Sequence, residues 1–284
     1  MAFPEKNIAI VCNPTPENGK ALRITNSIEI FLSGIDVRHK VFTREWPEVF
    51  DEFSEVWIVG GDGTANWFVN HYSTIQLPLA IFPGGSGNDF HWMLYEDQTL
   101  EQQIEYVLQC PPQMIDAGVC NEKLFLNGVG IGFDGAIVYD LLGKKKLGGK
   151  ASYLLSILKQ IVGYHEKPCV LQMPNEMIKE DCFLISVANG KRYGGGFLVT
   201  PKASVSDEMF DVNIVGKVSP IKRIKYLSVI EKGEHLNLDF VKYRKADKVI
   251  IHSSSMLHAH MDGEYFKSDY FDIEILPKRF SFLC

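Results

Sequence analysis

Over the first 110 residues, short apolar runs alternate with segments whose apolar residues recur at helical spacing. Asn7 to Cys12 is a run of strand length. Ala21 to Leu32 follows, with Leu22, Ile28, Phe31 and Leu32 at roughly the helical period. Val37 to Phe42, Val56 to Val59 and Pro78 to Phe82 read as strands, each closed by a turn. Thr99 to Leu108 reads as a helix stopped by Pro111-Pro112. This alternation predicts a parallel sheet with helices on its faces, and ligands on such sheets bind at the carboxyl ends of the strands.

After Pro112 the pattern changes. Phe125 to Gly132, Cys169 to Met173, Asp181 to Ala188, Phe210 to Val215, Val249 to His252 and Phe271 to Leu276 are strand-like, often with no helix between them. Helical patterns interrupt them at Ala151 to Val162 and Ile221 to Ile230, and Gly143 to Gly149 reads as a mobile loop. The expectation is an α/β N-terminal domain (parallel sheet with flanking helices, 1–118) followed by a β-rich, largely antiparallel domain (119–284). The boundary falls near 111–122, and the C-terminal segment is free to pack back on the first domain.

The 284 residues are 46% hydrophobic and 12% aromatic, enough for a folded core. A net charge of −6 argues against nucleic acid as the main partner, but leaves room for a membrane surface met by a local basic patch. Six scattered cysteines without a Cys-x-x-Cys fit neither a disulfide framework nor a structural zinc, which points to a reducing cytoplasm. No signal segment opens the chain, and no apolar stretch nears the roughly 20 residues that span a bilayer.

Candidate chemistry begins at Gly60-Gly61-Asp62-Gly63-Thr64, directly after Val56 to Val59. Glycines let the backbone turn sharply and approach a ligand, and Ala65 to Val69 reads as the start of a helix whose N–H groups favour an anion. The alternatives are a phosphate cradle with a metal beside it, or a tight turn with one exposed acid. Pro83-Gly84-Gly85-Ser86-Gly87-Asn88-Asp89-Phe90 repeats the logic, with Asn88 or Asp89 as cap of the next helix, or is an ordinary helix-initiating turn. Met261-Asp262-Gly263-Glu264 is either an Asp-Gly hairpin turn or an acid pair delivering a general base.

Other signals read as decoys. Gly130 to Gly135 has the G-x-G-x-x-G spacing but lacks the later acid of a dinucleotide site. Gly143 to Ser152 lacks Walker spacing, and His258-x-His260 has no third ligand. Ala151 to Val162 is either a core-facing stripe or, next to Lys144-Lys145-Lys146 and Lys150, a helix resting on anionic lipid.

Taken in order, these segments resemble the diacylglycerol kinase catalytic-domain family, which includes the YegS-like and sphingosine kinase-like bacterial lipid kinases. The match starts at Val11-Cys12-Asn13-Pro14 and runs through both glycine turns, Ile115-Asp116-Ala117-Gly118, Phe125-Leu126-Asn127-Gly128 and Gly132-Phe133-Asp134. It continues at Asn189-Gly190, Gly194-Gly195-Gly196 and Pro201-Lys202-Ala203, and closes on Asp262-Gly263-Glu264 and Ile273 to Pro277. The resemblance implies an active site in a cleft between the two domains. It implies that Gly60, Gly61, Asp62, Gly63 and Thr64 hold ATP phosphates, with Asn13, Thr43, Ser86 and Asn88 as further nucleotide contacts. Asp62, Asp89 and Asp116 would organise catalytic Mg2+ through water, and Asp207 with backbone oxygens near Ser204 and Met209 would form a second, structural metal site. Glu264 would be the general base, with Asp262 beside it.

The chain departs from the family pattern at Thr15 to Lys20, at Ser86 in place of Thr, and at Glu208 in place of Gly. The reading is an ATP- and Mg2+-dependent kinase acting on a diacylglycerol-like or sphingoid-like lipid hydroxyl. It would be cytoplasmic or peripheral at the inner membrane face, with a homodimer left open. The alternatives are a kinase of a soluble nucleotide such as NAD, and a non-catalytic nucleotide- or lipid-binding protein.

Overall fold

The structure, a computed structural model, describes residues 6–14, 19–142 and 149–284. The chain divides into two compact units, one of residues up to Ile115 together with Lys278–Cys284, the other Asp116–Pro277.

Unit one runs β1 (Asn7–Cys12), α1 (Lys20–Gly34), β2 (Arg38–Phe42), β3 (Glu55–Gly60), α2 (Asp62–His71), β4 (Leu79–Pro83), α3 (Asp89–Tyr95) and α4 (Leu100–Gln109). β5 (Pro112–Cys120) then crosses the division. β1 pairs in parallel with β2 and β3, and β3 with β4. Ile8 to Cys12 and Val56 to Val59 are wholly buried, as expected of parallel strands covered on both faces. The register Gly60↔Pro83 brings the carboxyl ends of β3 and β4 side by side, so the two glycine turns leave the sheet as neighbours. A fifth parallel partner comes from the far end of the chain, where Phe282 pairs with Leu79. Tyr95 Oη donates to the Leu283 carbonyl at 2.9 Å, and Phe282 meets Phe90 edge-on at 5.7 Å. α4 opens on a complete capping box, Thr99 with Gln102.

Unit two continues through β6 (Lys123–Phe125), β7 (Gly128–Gly132), α5 (Phe133–Leu141), α6 (Gly149–Gly163), β8 (Lys167–Met173), β9 (Glu176–Cys182) and β10 (Leu184–Ala188). β11 (Phe210–Val215), α7 (Pro220–Glu231), β12 (Val241–Ala246), β13 (Lys248–Met261) and β14 (Glu264–Leu283) complete it, with β14 crossing into unit one at Lys278. β12, β11, β10, β7, β13 and β14 follow one another in antiparallel pairs. β13 changes partner along its length: Ile250 to Ser253 pair with β8, and Ala259 to Met261 with β7, across an irregularity between His252 and Leu257. One sheet face buries Phe125, Phe210, Leu171, Ile251 and Phe271. The other packs Phe183 and Val215 against Phe133 and Ile137 of α5 and Ile157 and Ile161 of α6.

Several expectations need correction. α2 begins at Asp62, three residues before Ala65, which places the acid inside the first helical turn. The run Asp181–Ala188 is two strands broken at Phe183, whose amide donates to the Val215 carbonyl and whose carbonyl accepts from the Phe133 amide. Phe125–Gly132 is also two strands, parted at Leu126 and Asn127. β12 and α5 were not anticipated, and β5 extends beyond the Ile115–Gly118 segment that the family resemblance marked. The loop expected at 143–149 and the Thr15–Asn18 segment fall largely outside the described residues.

Candidate functional site

In unit one the two glycine turns form a single backbone joint. The Gly84 amide donates to the Gly60 carbonyl at 2.8 Å. A Cβ on Gly85 would lie 2.5 Å from Gly61 Cα, and one on Gly84 would lie 2.9 Å from Gly60 Cα. Approach this close is possible only for glycine. Asp62 fastens the joint, because its carboxylate accepts from the amides of Asp89 (3.1 Å) and Phe90 (3.0 Å). The acid at the head of α2 therefore caps α3, where the sequence pointed to Asn88 or Asp89. Asn88 instead occupies the N-cap position in a left-handed conformation (φ 53°) and folds back on the second turn, accepting from Gly85 N–H at 2.9 Å and donating to Gly85 O at 2.7 Å.

This arrangement suits an anion. The N-cap of α2 is Gly61, which offers no side-chain cap, so the helix's N-terminal turn suits an external acceptor. Asn13 Nδ2 lies 3.4 Å from Thr64 Oγ1, and Lys20 Nζ donates to the Gly85 carbonyl at 3.2 Å. Lys20, which motif spacing did not single out, brings a positive charge to the joint. Ser86 is exposed on the second turn, and Thr43 is half-buried just after β2. A Cβ on Gly87 would lie 3.0 Å from Asp62 Oδ2 and 3.6 Å from Asp89 Oδ2, so both carboxylates converge on one point. One or two carboxylates beside a polyphosphate is how proteins usually hold Mg2+. Among the described residues no cluster of three or more His, Cys, Asp or Glu is placed to bind a metal alone.

In unit two, Asp262 and Gly263 are the two-residue loop joining β13 to β14. Both have positive φ (48° and 86°), the requirement of the tight hairpin turn that Asp-Gly favours. The Asp262 carboxylate is buried and accepts from the amides of Leu126 (2.8 Å), Asn127 (2.9 Å) and Gly128 (3.0 Å). These are the residues that part β6 from β7, so the acid closes that gap while it holds the hairpin. Glu264, the next side chain, is exposed at the head of β14. A second brace stands behind the turn: His260 Nε2 lies 2.9 Å from Asp134 Oδ2, and the Gly263 amide donates to His260 Nδ1 at 3.4 Å. Asp134 and His260 come from two signals set aside as decoys. Their juxtaposition spans 126 residues, which no local spacing encodes. The Gly130–Gly135 motif has a packing cause: a Cβ on Gly130 would meet Asp134 and His260, and one on Gly135 the backbone of Ala259.

Asp116 also lies in unit two, where its carboxylate accepts from the Glu208 amide at 2.7 Å and its amide donates to the Val205 carbonyl. It is thereby tied to the loop of Ser204, Asp207 and Met209. Asp207 accepts from the Met209 amide at 3.3 Å and pairs with Lys245, which also lies 3.6 Å from buried Asp211. Glu208 has φ 62°, a conformation that glycine adopts without strain, which accounts for the glycine of the family pattern.

The fold is thus a parallel sheet bearing a glycine joint, followed by an antiparallel β-rich unit. Residues 7–120 match the diacylglycerol kinase catalytic domain, and residues 127–284 match the YegS C-terminal NAD kinase beta sandwich-like domain. The chain belongs to the diacylglycerol kinase catalytic-domain family, in the form that carries the YegS C-terminal domain. A "Probable lipid kinase YegS-like" from Chromohalobacter salexigens is 30% identical over 77% of this chain and 72% of its own length. The diacylglycerol kinase of Bacillus subtilis is 27% identical over 75% and 72%. Among solved structures, a diacylglycerol kinase from Bacillus anthracis superposes with TM-score 0.74 at 19% identity, over 98% of this chain and 96% of its own. An NAD kinase from Archaeoglobus fulgidus in complex with ATP reaches 0.54 at 14% identity, over 98% and 93%. At such identities both likenesses concern fold alone. Among the described residues, no helix is long and apolar enough to cross a membrane.

Proposed function

We propose that this protein is a lipid kinase that moves the γ-phosphoryl group of ATP to a hydroxyl of a diacylglycerol-like or sphingoid-like lipid. The observation that carries the reading is the uncapped α2 terminus in the glycine joint, with Lys20 and the Asp62–Asp89 pair beside it. The α2 amides, Lys20 and Thr64 bind and orient the phosphates. Asp62 and Asp89 would hold Mg2+, which when bound neutralises charge on the β- and γ-phosphates. Glu264 takes the acceptor proton, while Asp262 and His260 fix the hairpin that carries it. Catalysis of this kind is mainly positioning and electrostatics.

Transfer of labelled phosphate from ATP into a fractionated lipid extract, with NAD as a parallel acceptor, tests the reading. A labelled lipid and no labelled nucleotide are expected; labelled NADP alone would establish the soluble-nucleotide alternative, and ATP binding with no product a binding protein. Glu264→Gln should fold and bind ATP yet lose about 10²–10⁴-fold in turnover. Near-normal turnover in that variant would remove Glu264 from the mechanism.

A further inference from the structure

The loop in which the family resemblance implies a second, structural metal already holds a cation of the chain's own. Residues 204–209 lead into β11, and the implied ligands are the Asp207 carboxylate with backbone oxygens near Ser204 and Met209. The ladder between β11 and β12 sets Asp211 directly opposite Lys245. Side chains paired in this way stand about 4.5–5.5 Å apart at Cβ, a spacing that suits opposite charges. Lys245 Nζ lies 3.6 Å from Asp211 Oδ2 and donates to Asp207 Oδ2. The ammonium thus bridges both carboxylates, and strand register delivers it there. Asp211 is wholly buried, and a carboxylate withdrawn from water needs a positive partner, which Lys245 supplies.

Bonds within the chain also tie the rest of the loop. Asp207 Oδ1 accepts from the Met209 amide at 3.3 Å, so each oxygen of this carboxylate has a donor. Buried Asp116 accepts from the Glu208 amide at 2.7 Å and donates its own amide to the Val205 carbonyl at 2.7 Å. Gathering such a loop is what a structural metal would do, and here amides and one ammonium do it. Mg2+ demands a near-octahedral shell of oxygens and Ca2+ a larger one. Either ion would have to strip Lys245 from Asp207 and then sit beside the displaced ammonium. Lys202 adds to the opposition, its Nζ 5.2 Å from the ring centroid of Tyr243, which shares a face of β12 with Lys245. The residues as they stand do not fit a divalent metal.

We infer that Lys245 takes the place of the structural metal, its ammonium holding Asp207 and Asp211 together so that this loop folds without a divalent cation. The inference rests on no part of the phosphoryl-transfer reading, and its readout is stability.

Thermal unfolding of the full chain without nucleotide tests it, first in chelator and then in Mg2+ or Ca2+. Neither ion should raise the parent's midpoint more than it raises that of Asp207→Asn. Lys245→Met leaves two carboxylates with no cation between them. It should melt about 3–6 °C below the parent in chelator and recover most of that loss in either ion. Adding Asp207→Asn to Lys245→Met should abolish the recovery. Lys245→Gln replaces Lys245→Met if the latter does not fold, with the same recovery expected. A larger rise in the parent than in Asp207→Asn would overturn the inference, because a metal would then bind at Asp207 despite the lysine. So would a Lys245 variant that gains nothing from either ion, since the lysine would then not stand in a metal's place. Failure of the lipid-kinase reading would leave all these midpoints unchanged, so the two failures are distinguishable.

Discussion

Gly85 sits where any side chain would enter the neighbouring turn: its Cβ would come within 2.5 Å of Gly61 Cα. Gly85→Ala should therefore destabilise unit one by roughly 1–3 kcal/mol, because two backbones must move apart. Urea unfolding measures this, and an unchanged midpoint would show that the joint can open without cost. The sequence made the demand for glycine legible at Gly60, Gly61, Gly84 and Gly85, but not its whole cause. Clearance for a ligand explains one turn at a time, whereas these glycines also clear one turn for the other. Asp62 and Asp262 were equally visible as acids in the right places. That each accepts amides from a segment 27 or about 135 residues away is a property of the folded chain, invisible to local pattern. The Asp-Gly reading of residues 262 and 263 as a hairpin turn agrees with the geometry, and the exposed Glu264 that follows keeps the chemical reading open beside it.

Elements were legible where periodicity was strong and obscured where partners were polar. β12 reads Val-Lys-Tyr-Arg-Lys-Ala and looks like no strand, yet two of its three charges face Glu176 and Glu180 of β9: Arg244 pairs with the first at 2.9 Å, and Lys242 pairs with the second, while Lys245 pairs with Asp207. In β13 the run Ser253-Ser254-Ser255 hid a long strand, and there the ladder is irregular. α7 is held by a group that propensity cannot weigh. Arg223, on its buried side, donates to the carbonyls of Val218, Ile161 and Tyr164 and to Glu166, and its guanidinium lies 4.2 Å from the Phe183 ring centroid. Burial pushes the Glu166 carboxyl up, but hydrogen bonds from its own amide, the Val218 amide and Arg223 bring it below the usual range. Arg223→Met strips three carbonyls of a donor and the half-buried Glu166 carboxylate of its cation together. It should cost about 3–5 kcal/mol in unfolding free energy. A loss below about 1 kcal/mol would mean that water replaces the guanidinium without penalty.

For the whole molecule, the clearest pH response runs through His235, buried beside Val199 with Nε2 3.0 Å from its carbonyl. Burial lowers its pKa, and the Val199 hydrogen bond opposes that only in part. The unfolded chain then takes up a proton below about pH 6.5 while the folded chain stays neutral, so stability falls as pH drops through that value. His258, also lowered by burial, adds to the same slope. His235→Asn should flatten the dependence of the urea midpoint between about pH 7 and 5. A slope as steep as the parent's would assign the effect elsewhere.

The end of β14 from Lys278 to Leu283 carries a consequence for synthesis. Residues up to Ile115 leave the ribosome first, yet their sheet lacks its outer partner, and Tyr95 its acceptor at Leu283, until the whole of Asp116–Pro277 has been translated. The unit whose sequence comes first is therefore among the last to be finished. A ribosome stalled anywhere in the second half would hold an α/β layer with one edge bare and Phe90 without its aromatic neighbour. Such a nascent chain has something to offer a chaperone that the completed protein has already covered.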